Sequence, residues 1–316
     1  IFFRIADDFV LPPLEVLEEI FQSQRFAPCG ATEAESSGWV PPRGNKSTVL
    51  LESVGRSLIA RLCTERRPVP SSAIKAAVEE RIEKYKEETG RERVGAKIKK
   101  EFKQEALLDL LPRAFTKRST TTLWIDPVNK FLVVDAGNLT GADKVISYLV
   151  EALSEVPGAL PGLKASPIQT QMSAAAAMSH WLSTREAPYN FSVDRDCELK
   201  TPDDQKATVR YSRHTLDIDE VAQHIASGKM PTQLAMTWNE RVSFVLTETA
   251  QLKKLKLLDV VLDGVQENGK DDDGFDTDAA IITGELSSLI PDVLDALGSN
   301  IRIDTRGAQV MRVLPR

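Results

Sequence analysis

The chain is poor in the residues that carry most enzyme chemistry. It has three histidines and three cysteines among 316 residues. His180, His214 and His224 are scattered, and Cys29, Cys63 and Cys197 lack the short spacings of a metal or redox pair. An odd, widely spaced cysteine set predicts reduced thiols in a cytosolic setting rather than a disulfide framework. No apolar run approaches the ~20 residues of a membrane span and no signal peptide opens the chain, so no membrane partner is expected. The start at Ile1 rather than methionine is expected to reflect the loss of a few initial residues.

Phosphate and cofactor motifs are equally sparse, and neither a cofactor nor a metal is expected. In Gly137-Asn-Leu-Thr-Gly141-Ala-Asp-Lys144 the lysine does not follow the second glycine directly, and no glycine-rich dinucleotide fingerprint exists. Asp271, Asp272, Asp273, Asp276 and Asp278 do not follow the alternation of a calcium loop, so they read as a solvated acidic loop. One enzymatic constellation stands out. Asp194, Asp196 and Glu198-Leu199-Lys200 have the acids and lysine of a metal-dependent nuclease. Leu199-Lys200 runs into Thr201-Pro202, which reads as loop rather than strand, and such triplets arise by chance in charged proteins. Asp126 and Asp135 are explained by turn and strand-end duties, so the nuclease is the minor alternative.

What the chain does have is segregated charge. The net charge is −6, yet residues 91–118 hold nine cations (Arg91, Arg93, Lys97, Lys99, Lys100, Lys103, Arg113, Lys117, Arg118) against four acids. From Asp259 to Asp295 eleven acids face only Lys270. Such a molecule holds a polyanion on one surface while the rest repels it. Charge runs are more often merely solvated faces. Here the excess has one sign and continues past Pro112 into Lys117-Arg118, which favours DNA contact.

With 34.9 kDa and 42% hydrophobic residues, two or three packed units are expected. The fold class is α/β (α+β). Strands are predicted at Ile1–Ile5, Ser47–Ser53 and Ser57–Thr64, a helix at Leu14–Gln24, and a loop-rich passage from Phe26 to Pro42. Ser71 or Ser72 is predicted to cap a helix that Gly90 stops at Thr89, and a second helix to span Arg91–Leu111. Their apolar stripes are thin, so they form a projecting antiparallel hairpin.

Pro112 ends the second helix, and strands Thr120–Ile125 and Lys130–Val134 flank the turn Asp126–Asn129. A helix from Thr140 to Leu153 follows, capped by Asn138 or Thr140, and Val156–Pro167 reads as a linker. The second half repeats the first in outline. It has a helix Ser173–Leu182, a strand Lys206–Tyr211, a helix Asp217–Ala226, and a hairpin Thr232–Thr237/Arg241–Thr247. An apolar strand Ala279–Thr283 then leads to a helix ending at Leu297, with Pro291 marking a kink or a late start. The expected units are a first lobe of residues 1–70 and 119–156, a helical tip of 71–118, a similar second lobe of 157–298, and a basic tail of 299–316.

Several stretches carry a resemblance. They are Leu110-Leu111-Pro112-Arg113-Ala114-Phe115, Trp124-Ile125-Asp126 with Val128-Asn129, Val134-Asp135, Phe26-Ala27-Pro28-Cys29-Gly30 and Gly38-Trp39-Val40-Pro41-Pro42. Gly228-Lys229 to Trp238, Leu252-Lys253-Lys254-Leu255-Lys256, Phe275-Asp276-Thr277-Asp278 and Thr283-Gly284-Glu285-Leu286 continue it. In this order, from Ile1 to about Leu297, they resemble the RdgC family of bacterial recombination-associated proteins.

The resemblance implies a ring-shaped homodimer that encircles DNA without sequence preference and restrains the strand-exchange recombinase. It implies no enzyme activity and a nucleoid-associated protein of the cytoplasm. The few aromatics near the basic stretch favour double-stranded DNA, with single strands bound more weakly. A nucleoid-structuring protein without a recombination role is the second reading. Charge clustering and motif position select Lys75, Arg91, Arg93, Lys97, Lys99, Lys100, Lys103, Arg113, Lys117, Arg118, Lys229, Lys253, Lys254 and Lys256 as DNA contacts. The resemblance places Phe115 at a dimer gate against Arg213 and His214 of a second copy, at positions where the family often has lysine and glutamine. The competing reading of Phe115 is a core ring beneath the β hairpin.

Overall fold

The computed structural model describes residues 1–154, 163–168, 170–202, 207–263 and 274–298. The 299–316 tail, residues 267–273 of the acidic loop, residues 156–162 of the proposed linker, and Lys206 lie outside the described residues.

The protein is mixed α/β, built on two antiparallel sheets. In chain order the elements are β1 (Phe2–Ile5), α1 (Leu14–Ser23), β2 (Glu35–Val40), β3 (Leu51–Val54) and β4 (Ser57–Arg66). Then come α2 (Ser71–Thr89), α3 (Ala96–Leu110), β5 (Lys117–Asp126), β6 (Phe131–Val134), α4 (Leu139–Ser154) and β7 (Ala165–Pro167). The remainder is α5 (Ala174–Thr184), β8 (Phe191–Lys200), β9 (Thr208–Tyr211), α6 (Asp219–Ala226), β10 (Met230–Trp238), β11 (Val242–Thr247), β12 (Leu252–Leu257), α7 (Asp259–Leu262) and α8 (Phe275–Ala296). The first sheet has the order β2-β4-β5-β6-β1-β7 with β3 also on β4, and the second β12-β11-β10-β8-β9. Residues 165–167, expected in a linker, form β7 and pair with β1.

The chain divides into two compact units, one of residues 1–11, 53–59 and 123–316, the other of 12–52 and 60–122. In the first unit, α8 has an apolar cluster on each side. Ala279, Ile290 and Leu294 pack with Phe2, Ile59, Trp124 and Phe131, while Leu289, Val293 and Leu297 pack with Trp181, Leu234, Met236 and Phe244. Each leucine, isoleucine, valine, methionine or phenylalanine among them contributes about 1.5–3 kcal/mol when fully buried. That burial overrides the strand preference of Ile281-Ile282, so residues 279–283 lie within the helix rather than in the expected strand. The helix starts at Phe275 and runs through Pro291, so Pro291 marks no late start.

Polar ties fix the register of α8. The Ser287 hydroxyl donates to Asp126 (3.2 Å), the Trp238 indole N–H donates to Asp292 (2.7 Å), and Arg241 pairs with Glu285. Asp126 also accepts from the backbone N–H groups of Val128 (3.0 Å) and Asn129 (2.9 Å), which closes the β5–β6 turn. Asn138 caps α4, as expected, by accepting from Gly141 N–H at 2.8 Å.

In the second unit, α1 buries Leu17 and Phe21, with the Phe21 ring 4.4 Å from that of Trp39. The passage read as loop contains β2, whose alternation is concealed by serine and glycine. Its Gly38 lies against the Phe26 backbone. Phe26 N–H donates to Trp39 carbonyl (2.9 Å) and Trp39 N–H to Gln24 carbonyl (3.0 Å).

Helices α2 and α3 form the expected hairpin. None of α2 and only Ala106 of α3 is buried, and Tyr85 meets Phe102 edge-on at 5.9 Å. Gly90 ends α2 at φ 67°, a left-handed position that suits glycine. Pro70 occupies the N-cap and neither Ser71 nor Ser72 makes a capping side-chain bond. The reversal after Gly90 consumes residues 91–95, so α3 begins at Ala96 instead of Arg91.

Candidate nucleic-acid interface

On a helix, residues three and four apart are neighbours. Lys97, Lys100 and Lys103 are therefore stacked along α3, and Lys99 lies beside Lys103. Glu101, Glu105 and Asp109 form a second row on the same helix. Two members of that exposed acidic row meet a cation of the other helix. Arg81 of α2 pairs with Asp109 and lies 3.9 Å from Glu105. Two other cations of α2 are matched within their own helix, Lys84 with Glu88 at 3.9 Å and Lys86 with Glu83 at 2.9 Å. Helix α2 as a whole has four cations to five acids.

The α3 lysines, all exposed, make no ion pair among the described residues, and the same holds for Lys75, Arg91, Arg93, Arg113 and Lys117. Arg81, Lys84 and Lys86 thus have carboxylates in reach, whereas the α3 lysine row is left to solvent. Such a row, with rotatable ammonium groups and no fixed partners, suits a phosphate backbone better than base edges.

Arg118 differs from these. Its guanidinium is bound to the carboxylate of Glu65, which is 1% exposed, and lies 5.2 Å over the Phe26 ring. The Arg118 hydrogen bond and the Cys29 N–H at 2.9 Å hold the Glu65 carboxyl below its usual range. Arg67 donates to the carbonyls of Ala114 (3.2 Å), Cys29 (3.3 Å) and Leu111 (3.4 Å). Between these two anchors Phe115 is 92% exposed, so it is not a core ring. The hub of Glu65 and Arg67 was missed in the sequence, where its only signal is an acid among the alternating apolar residues of β4.

Lys229, Lys253, Lys254 and Lys256 belong to the other unit. Lys229 follows α6 and is half-buried. The other three are exposed on β12, an edge strand whose register slips opposite Ser243 and Val245, with Lys254 at φ 51°. Lysines there also block edge-to-edge pairing, a duty independent of DNA. Arg213 and His214 lie on the exposed loop after β9. Arg213, at φ 53°, donates its backbone N–H to Asp196 (2.7 Å), and His214 N–H bonds Arg195 carbonyl (3.1 Å).

The acids weighed as a nuclease centre are not on a loop. Glu198-Leu199-Lys200 ends β8, because Cys197 and Leu199 alternate inward and Lys200 pairs with Met230 and Thr208. Their carboxylates serve other partners. Asp194 accepts from the Thr237 hydroxyl (3.0 Å) and Asp196 from Arg213 N–H. The buried Glu198 binds Lys200 at 2.7 Å, Arg210, and Thr232 at 2.9 Å.

Lys200, Arg210 and Thr232 lower the Glu198 carboxyl to about 2. A depressed carboxylate stabilises the fold above its unfolded value and loses that contribution as pH falls through the folded one. The urea midpoint of the wild type should therefore fall between about pH 4.5 and about pH 2, and less so in Glu198→Gln. Equal pH dependence in the two proteins would contradict the Glu198 cluster as its source. The three cysteines are free and buried. Among the described residues no helix is long and apolar enough to cross a membrane.

A family model described as "Putative exonuclease, RdgC" matches residues 1–300. A second, for an NADH-ubiquinone oxidoreductase NDSU1/NuoG-like 4Fe-4S domain, matches 287–316. That stretch contains no cysteine, so it does not fit a cluster held by thiolates. The recombination-associated protein RdgC of Janthinobacterium sp. (strain Marseille) is 41% identical over 277 residues, covering 87% of this chain and 89% of that protein. The protein of the same name from Dechloromonas aromatica (strain RCB) is 40% identical over 280 residues, with 87% and 89% covered. That of Herminiimonas arsenicoxydans is 39% identical over 285 residues, with 90% and 92% covered. These relatives are named for recombination and not for an enzymatic reaction. With its whole described fold inside the matched span, the chain belongs to the RdgC family of recombination-associated proteins.

Proposed function

We propose that the protein is a non-enzymatic clamp on double-stranded DNA that restrains recombinase-driven strand exchange. The observation that carries this reading is the cationic row of α3, exposed and without ion-pair partners among the described residues while Glu105 and Asp109 of the same helix face Arg81. Lys97, Lys99, Lys100 and Lys103 neutralise phosphates. Arg91, Arg93, Arg113, Lys117 and Lys75 extend the surface, with Lys229, Lys253, Lys254 and Lys256 contributing from the second sheet's unit. Binding is indifferent to sequence and steeply weakened by salt. Few aromatics accompany the cations, so duplex is favoured over single strands.

Two copies close a ring, each built from two similar lobes (1–70 with 119–156, and 157–298) and the 71–118 tip. Held duplex is a poor substrate for strand exchange, so inhibition follows from occupancy. The protein works on the nucleoid in the cytoplasm and needs no metal or cofactor. If it only compacts DNA, the protein leaves strand exchange untouched both with and without excess competitor duplex, whereas the clamp inhibits it and excess duplex relieves the inhibition. If the β8 acids are a nuclease, magnesium-dependent nicking of plasmid appears within hours.

Phe115 closes the ring against Arg213 and His214 of the second copy. The 92% exposure of the Phe115 ring supports that role, because it leaves the ring free to meet a second copy. Phe115→Ala should leave the melting temperature within about 2 °C of wild type, as an exposed site allows. It should also abolish retention on closed circular DNA at moderate salt. Full retention by Phe115→Ala would overturn the gate.

A further inference from the structure

We infer that Arg118 is a positioning residue rather than a phosphate contact. With Glu65 and Arg67 it holds the 111–118 segment so that Phe115 is presented to the second copy. The inference rests on the clamp reading and deepens it.

The geometry places both ends of the segment on one buried carboxylate and one guanidinium. At the near end Arg67 donates to Leu111 carbonyl (3.4 Å) and Ala114 carbonyl (3.2 Å). Its other amino group reaches Cys29 carbonyl at 3.3 Å. At the far end Arg118 is bound by Glu65, whose side chain is 2% exposed, and stacks over Phe26. The same carboxylate accepts Cys29 N–H at 2.9 Å, so both ends share the turn of residues 26–30 as their footing. Only Phe115, Thr116 and Lys117 lie between the anchors, and Phe115 is 92% exposed. An apolar ring facing water on a short span held at both ends is pre-organised for an intermolecular contact. Arg113 and Lys117 have no such tether among the described residues, whereas Arg118 can reach a phosphate only by abandoning a buried carboxylate, a costly separation.

The test compares Arg118→Lys, Glu65→Gln and Phe115→Ala in the full chain, by retention on closed circular DNA and by the salt dependence of binding to short duplex. Arg118→Lys keeps the charge but loses the fork and the stacking. A phosphate contact tolerates that change. A positioning residue loses retention about tenfold, the scale of one hydrogen bond to a charged group, with the salt slope unchanged. Glu65→Gln should match it, and neither should weaken binding to short duplex in a Phe115→Ala background.

Wild-type retention by Arg118→Lys, or tighter binding with a steeper slope in Glu65→Gln, would overturn the inference. Should Glu65→Gln fold poorly, Arg118→Lys, altered at a 57% exposed side chain, still decides the matter. If Phe115→Ala itself binds normally, the gate fails and the inference with it. If Phe115→Ala loses retention while Arg118→Lys keeps it, only the inference fails.

Discussion

Replacing Lys99, Lys100 and Lys103 together with alanine should weaken duplex binding about 500-fold per protomer at ~0.1 M salt. Each lost phosphate contact removes about 0.9 from the salt slope, worth about eightfold at that concentration. These three carry the prediction because they lie on one face of α3, exposed and without counter-charges among the described residues, so no internal ion pair is broken by their removal. The control is α2, where Lys84 and Lys86 already have carboxylates in reach at 3.9 and 2.9 Å. Alanine at those two positions should change the slope by much less than one contact. Anisotropy titrations over a salt series measure both. An unchanged slope in the triple variant would remove the hairpin from the interface, and an equal loss in the α2 variant would make the effect one of total charge.

Gly38→Ala should destabilise the protein by about 3 kcal/mol, the upper range for overfilling a packed site. A Cβ on Gly38 would lie 2.3 Å from Phe26 Cα and 2.5 Å from Phe26 N, both backbone atoms that cannot rotate away. The turn of residues 26–30 would have to move, and with it Cys29 N–H on Glu65 and the Phe26 ring beneath Arg118. Urea unfolding should show the loss as a lower midpoint, and DNA retention should fall even where the protein remains folded. Alanine tolerated within about 0.5 kcal/mol, as at an ordinary surface site, would mean that the close approach is not required.

The motif stretches were legible because each solves a local problem. Gly38-Trp39 and residues 26–30 are one structure, two strands of backbone in contact. Trp124-Ile125-Asp126 with Val128-Asn129 is a strand, a turn closed by Asp126, and an anchor for Ser287 of α8. The hairpin was legible from its thin apolar stripes and Gly90. Three things were hidden. Residues 279–283 read as a strand because β-branching is a local signal, whereas the two cores that clasp α8 come from distant parts of the chain. β7 was concealed in a proline- and glycine-rich passage, since a three-residue edge strand needs only its partner β1. The division of charge on the hairpin was concealed too, because a count along the chain does not show that Arg81 is turned toward Glu105 and Asp109.

For the candidate site, counting cations found the α3 row but also swept in Arg118, whose guanidinium is committed to Glu65. Glu65 itself gave only a weak signal, since a buried acid in a strand looks like any polar position of an alternating pattern. Phe115 could be read as core or as gate from sequence alone, and its exposure of 92% decides against the core.

Topological enclosure of duplex is best tested by release from closed circular and linear DNA of the same sequence at rising salt. A threaded clamp should slide off linear molecules at their ends while persisting on circles, and Phe115→Ala should abolish that difference. Equal release of the wild-type protein from both forms would contradict the ring.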